Sequence, residues 1–195
     1  MRVVFIGDSI TETGRFDEAD APLGRGYVRL LADHLGPETT VINRGIGGNR
    51  IADLQQRWSA DAMTHAPTLL SVYIGINDTW RRAEPGEHTS PDEFARAYRD
   101  LLDRALASGH PRLVLMEPFL LPLTAAQEAF TDDVDLKRAV VASIASEYGA
   151  THVALQAPLS AAASGQGPAA IAYDGVHPTP YGHSLIASLW RDAVS

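Results

Sequence analysis

Val3-Val4-Phe5-Ile6-Gly7-Asp8-Ser9-Ile10-Thr11 begins with four apolar residues, β-branched or aromatic, and breaks at Gly7-Asp8. A run this short, closed by turn residues, reads as a buried strand, with Ser9 set where the backbone must leave it. Four further runs repeat the pattern: Thr40–Ile42, Leu69–Ile74, Leu113–Met116 and Thr151–Leu155. Between them lie stretches with helical spacing, at Gly26–Leu35, Arg50–His65, Pro91–Ser108, Asp133–Tyr148 and finally Tyr181–Val194. Buried strands alternating with amphipathic helices predict an α/β fold, one parallel sheet covered on both faces. Ser90-Pro91-Asp92-Glu93 marks a helix start, with an N-cap serine, proline in the first turn and a glutamate three residues on. Ser160–Gly167, rich in Ala, Ser and Gly, reads as a loop. No repeat or linker divides the 195 residues, so a single domain over residues 1–195 is expected.

Composition narrows the function classes. With 45% apolar and 21% charged residues the chain lies in the ordinary globular range. Its formal net charge of −8 argues against a nucleic-acid partner. Without cysteine there can be no disulfide, thiolate metal site or cysteine nucleophile. No apolar run approaches the roughly 18 residues of a membrane span. The first strand already starts at Val3 and carries the serine motif, which leaves no room for a removable leader, so a cytoplasmic protein is expected.

In open parallel sheets, function collects beyond the carboxyl ends of the strands. Ser9 follows the first strand, Gly48 the second, Asn77 the third, and Asp174 and His177 the last. Taken alone, Ser9 reads as a turn or N-cap serine. Asp174-Gly175-Val176-His177-Pro178 alone reads equally as part of a metal site with His183 as third ligand. Together they supply the attacker, the general base and the carboxylate that fixes the base's tautomer. His34, His65, His88, His110 and His152 have no such neighbours. Asp8 reads as a carboxylate that organises the loop. Gly48, without a Cβ, lets its N–H approach a substrate closely, although Gly45, Gly47 and Gly48 also fit a flexible turn. Asn77 places an amide donor at the end of a buried strand, where a polar side chain without a purpose is unfavourable.

Gly7-Asp8-Ser9, Asn43-Arg44-Gly45-Ile46-Gly47-Gly48-Asn49, Gly75-Ile76-Asn77-Asp78 and the Asp174–His177 segment, in this order, resemble the SGNH (GDSL-type) hydrolase superfamily of esterases and lipases. The resemblance implies a three-layer α/β/α sandwich whose five-stranded parallel sheet has a flavodoxin-like strand order. It implies Ser9, Asp174 and His177 as catalytic residues. It also implies an oxyanion hole made by the N–H groups of Ser9 and Gly48 and the Asn77 amide, with Asn43 and Asp78 tying the loops. No cofactor and no metal are implied. The longer stretches Phe5–Arg15, Gly26-Tyr27-Val28, Ile42–Trp58 and Val72–Arg81 look like the intracellular acetylxylan-esterase branch, with Tyr173 where those relatives tend to carry tryptophan.

The substrate so implied is a short-chain ester, by that branch an acetyl ester of a carbohydrate, whether a small molecule or an oligosaccharide. Trp80 and Arg81 are rim candidates for stacking on a sugar and binding its hydroxyls, with Arg15 and Tyr173 beside them. Trp80 equally fits packing beneath a loop or at a subunit contact. Pro118–Phe130, loop-like with five large apolar residues, suits either a lid over a longer acyl chain or a homo-oligomer contact. The rival readings are a lipase, lysophospholipase or thioesterase with the same three residues, a non-catalytic carbohydrate-binding protein, and a nucleotide binder using the Ser9/Thr11 loop for phosphate.

Overall fold

The structure, a computed structural model, describes residues 1–17, 21–81 and 88–195. Five strands, β1 (Arg2–Gly7), β2 (Thr40–Gly45), β3 (Leu69–Tyr73), β4 (Arg112–Met116) and β5 (Thr151–Val153), form one sheet in the order β2-β1-β3-β4-β5. Every pairing is parallel, with Val3 opposite both Val41 and Leu69 in the register. This is the flavodoxin-like order.

Alternate residues of each strand feed different cores, as the two-residue period of a strand requires. Val3 and Phe5 pack with Tyr27, Leu31 and Trp190, whereas Val4 and Ile6 pack with Leu54, Trp58 and Leu101. The first core is covered by α2 (Tyr27–Leu35), α8 (Gln156–Gln166) and α10 (Pro180–Val194). The second is covered by α3 (Ile51–Asp61), α5 (Pro91–Gly109) and α7 (Thr131–Glu147). Burying one such aliphatic or Phe side chain is worth roughly 1.5–3 kcal/mol. Ser71, polar in the fully buried strand β3, receives a hydrogen bond from Trp190 Nε1 at 3.0 Å, which docks α10 on the sheet.

The five expected strands and five expected helices all form, with ends shifted by a few residues. Ser90 and Glu93 cap α5 reciprocally, Ser90 N–H donating to Glu93 Oε2 at 2.9 Å and Glu93 N–H to Ser90 Oγ at 3.3 Å. Ser160–Gly167 is not a loop. Ser160 through Gln166 belong to α8, whose start is held by Glu117 Oε1 accepting from the N–H groups of Leu155 and Gln156, both at 2.8 Å. Alanine favours the helix without leaving an apolar stripe, so the segment carries propensity but no period. Short helices α1 (Ser9–Glu12), α4 (Ile76–Trp80), α6 (Ala125–Glu128) and α9 (Pro168–Ile171) complete the described chain, and all but α9 directly follow strand ends or their loops. Among the described residues, no helix is long and apolar enough to cross a membrane.

Candidate active site

Ser9 is the first residue of α1, and Asp8 caps that helix by accepting from Ile10 N–H at 3.0 Å. The Asp8 carboxyl is buried, and its Oδ2 has no partner among the described residues. Burial pushes its pKa up to about 7, against the opposing pull of Ile10 N–H and His177. It serves the backbone here, as a loop-organising group.

The last part of the chain meets the first at this point. His177 Nε2 lies 3.0 Å from Ser9 Oγ, and His177 Nδ1 lies 2.7 Å from Asp174 Oδ2. Asp174 Oδ1 accepts from the backbone N–H of His177 at 2.7 Å and of Val176 at 3.0 Å. Partial burial acts to raise the Asp174 pKa, but those two N–H groups and the His177 ring outweigh it and hold the carboxyl below its ordinary value. An ionised carboxylate can only accept, so Nδ1 carries the hydrogen and Nε2 turns its lone pair to the serine.

The neighbouring His183 is differently employed. Its Nδ1 accepts from Tyr27 N–H at 3.2 Å, its Nε2 lies 3.4 Å from Thr13 Oγ1, and its ring stacks on Tyr27. Burial, reinforced by nearby His177, lowers its pKa to about 4. It is a neutral packing group with both nitrogens occupied, which removes it as a third metal ligand beside Asp174 and His177.

Gly48 has φ +75°, a conformation that favours glycine, and Arg81 Nη2 lies 3.2 Å from the position a Cβ would take there. Asn77, in α4, donates from Nδ2 to Asn49 O at 3.0 Å, so its amide group is tied to the Gly48 loop. Asp78 ties the same two segments, accepting from Ile51 N–H at 3.1 Å, and burial pushes its pKa up to about 7 against that bond and one from Thr89. Asn43 donates to Thr11 O at 2.7 Å and Leu23 O at 2.9 Å, and accepts from Gly45 N–H at 2.9 Å. Both loop-tying expectations match these bonds.

The rim candidates are spread more widely. Trp80 is 39% exposed, one side of its ring lying 5.6 Å, centroid to centroid, from Phe130. Tyr173 is 64% exposed and donates its N–H to His177 O at 2.9 Å. Arg15 gives Nε to Gly45 O at 2.6 Å and covers the Phe16 ring, so it braces the loop after β2. Pro118–Phe130 is not loop throughout: Phe119, Leu120 and Leu121 fill the core, and α6 follows.

Two positioning residues escape the sequence reading. Arg57 donates to Gly7 O and Arg44 O, both at 2.8 Å, to Asn49 Oδ1 at 2.6 Å and to Asp61 Oδ2 at 2.9 Å, joining the ends of β1 and β2 to the Gly48 loop. Glu12 Oε2 accepts from Gly47 N–H at 2.6 Å. The one sequence signal for Arg57 is an arginine next to Trp58 on the inward side of a helix; Glu12 gives none.

A serine, a histidine and a carboxylate in hydrogen-bonded line on the carboxyl edge of a parallel sheet make an arrangement suited to hydrolysis. The GDSL-like lipase/acylhydrolase family matches residues 5–185, and the chain belongs to that family. An acetylxylan esterase of Geobacillus stearothermophilus is 34% identical to it over 95% of this chain and 90% of its own. The crystal structure of Axe2, an acetylxylan esterase from Geobacillus stearothermophilus, matches with a TM-score of 0.88 at 32% identity, covering 100% of this chain and 94% of that one. LAE5, an α/β hydrolase enzyme from the metagenome of Lake Arreo, Spain, matches with a TM-score of 0.90 at 29% identity over 98% and 94% of the two chains. The protein is a carboxylic ester hydrolase.

Proposed function

We propose that this esterase removes acetyl groups from carbohydrates through an acyl-serine intermediate. Ser9 Oγ attacks the ester carbonyl carbon while His177 Nε2 takes the serine proton, and Asp174 steadies the imidazolium that results. The N–H groups of Ser9 and Gly48 and the Asn77 amide receive the negative charge that develops on the carbonyl oxygen. The C–O bond to the sugar then breaks, and His177 returns its proton to the departing alcohol. A water, deprotonated in its turn by His177, attacks acetyl-Ser9; the bond from the acyl carbon to Ser9 Oγ breaks, His177 returns the proton to Ser9 Oγ, and acetate leaves. Trp80, Arg81 and Tyr173 bind the sugar on the alcohol side.

The observation that carries this reading is the line Asp174–His177–Ser9, with contacts of 2.7 and 3.0 Å. For the substrate, support comes from relatives: Axe2 is an acetylxylan esterase, and its variants with a serine or an aspartate replaced by alanine are described as catalytic mutants. The test is a hydrolysis panel that crosses acyl length with alcohol identity, combined with mass spectrometry of acid-quenched turnover. Acetylated xylo-oligosaccharides should be cleaved best, activity on activated esters should fall steeply from acetate to octanoate, and one acetyl group should appear on the peptide holding Ser9. A preference for octanoate, or acetyl label elsewhere, would overturn the assignment.

A further inference from the structure

In the Asp174–His177 loop the side chains of Asp174 and His177 are exposed while Gly175 and Val176 are buried, and both leading carbonyls are held from outside the loop. Gln127 Nε2 donates to Asp174 O at 2.7 Å, and Leu121 N–H donates to Gly175 O at 2.9 Å. The Gln127 side chain is itself fixed, because its Oε1 accepts from Leu123 N–H at 2.7 Å. The contact is tight: at Gly175, with φ +86°, a Cβ would come within 2.5 Å of Leu121 O. The segment that makes these bonds is anchored in turn, since Gln156 accepts from Leu120 N–H and donates to Leu120 O, each at 2.9 Å. The Asp174 carboxylate itself accepts from the N–H groups of Val176 and His177 and meets the His177 imidazole.

From this arrangement we infer that Gln127 is a positioning residue for the general base. Its amide fixes the Asp174 backbone so that the carboxylate meets His177 Nδ1 while Nε2 faces Ser9. The inference rests on the proposed roles of Asp174 and His177. It accounts for the short, mostly exposed helix α6: one turn of helix presents a single amide to the catalytic loop, and two hydrogen bonds lock that amide's orientation. Displacing a reacting group by about 1 Å is enough to lower a rate on the order of 10²-fold. Losing one of several restraints should therefore slow the enzyme by about 10- to 100-fold.

The test uses Gln127→Ala and Gln127→Met in the full chain, alone and combined with Asp174→Ala. Alone, each should lower kcat by that factor with KM within about twofold, for an activated acetate and an acetylated oligosaccharide alike, because the change acts through the base. The low-pH limb of kcat/KM should move to lower pH, since a loosened carboxylate stabilises the imidazolium less. In the Asp174→Ala background, neither substitution should slow turnover further. A lower melting temperature with wild-type kcat and an unmoved limb would overturn the inference, leaving Gln127 as a tie for α6. A full additional loss in the Asp174→Ala background would overturn it as well. An Asp174→Ala enzyme with wild-type turnover would instead sink the underlying assignment of Asp174.

Discussion

Around Ser9, Gly48 and Asn77 the chain is cross-tied through its interior, whereas the Asp174–His177 loop is held by its own short-range bonds and by the single neighbouring segment that carries Leu121 and Gln127. On the first side, Arg57, Asn43 and Asp78 join the ends of three strands through buried or half-buried side chains. On the second, the side chains of Asp174 and His177 are 53% and 51% exposed, and their mutual geometry is set within three residues. The proposed chemistry explains the difference. Stabilising an oxyanion needs donors that do not reorganise as charge develops, which favours a rigid, dry frame. A general base must pass a proton to one oxygen and then accept one from another, so a compact loop with a firm hinge suffices.

Ser9→Ala should have the largest effect, a fall in kcat on the order of 10⁶ with the fold intact, the scale seen when a serine protease loses its nucleophile. Circular dichroism beside the assay separates this from unfolding, and retention of substantial turnover would break the comparison at its root. Asp174→Asn should lower kcat by about 10⁴, because the amide turns the imidazole to the wrong tautomer without moving it. Wild-type turnover in that variant, with collapse in Asp8→Asn, would transfer the acid role to the buried side. Asn77→Ala should lower kcat by about 10²–10³ with KM nearly unchanged. A large rise in KM at constant kcat would make Asn77 a ground-state ligand. Trp80→Ala should weaken kcat/KM for an acetylated oligosaccharide by about 1–3 kcal/mol and leave a small activated acetate much less affected. Equal losses on both substrates would remove Trp80 from the alcohol side.

The smallest effect sharpens the contrast through pH. Burial raises Asp8 and Asp78 from 3.8 to about 7, so their contribution to stability is present below about pH 4 and is lost as pH rises through 7. Burial lowers His183 from 6.5 to about 4, so its contribution is present above pH 6.5 and is lost as pH falls through 4. Between about pH 4.5 and 6 the two acids outweigh the one histidine, and these groups make stability decline with pH. Asp8→Asn removes one acid and should flatten that slope in urea titrations run across the interval. An unchanged slope would show that Asp8 is ionised in the folded protein.

The strands and the four site segments were legible because each carries its own local signal. An apolar run ended by Gly7-Asp8 or Gly75 marks a strand and its exit, and Asp174 with His177 is a pair whose contact follows from a spacing of three residues. What stayed hidden depends on remote main-chain atoms. Arg57 acts on Gly7 O and Arg44 O, and Gln127 on Asp174 O, and any residue type supplies such a carbonyl. The Ala/Ser/Gly stretch in the second half of α8 gives no helix signal for a related reason: the start of that helix is fixed by Glu117, 38 residues before Leu155 in the sequence. Arg15, a rim candidate in the sequence, likewise gives its Nε to a main-chain oxygen, Gly45 O.

Ser9 and His177 stand 168 residues apart. During translation Ser9, the proposed nucleophile, therefore leaves the ribosome early, on a strand that takes the second place in the sheet, between β2 and β3, while its proposed base is still unmade. With the roles proposed for Ser9 and His177, a chain interrupted before His177 holds a serine without the group that takes its proton. On that proposal, hydrolytic competence arrives late in synthesis, with the loop that precedes the final helix.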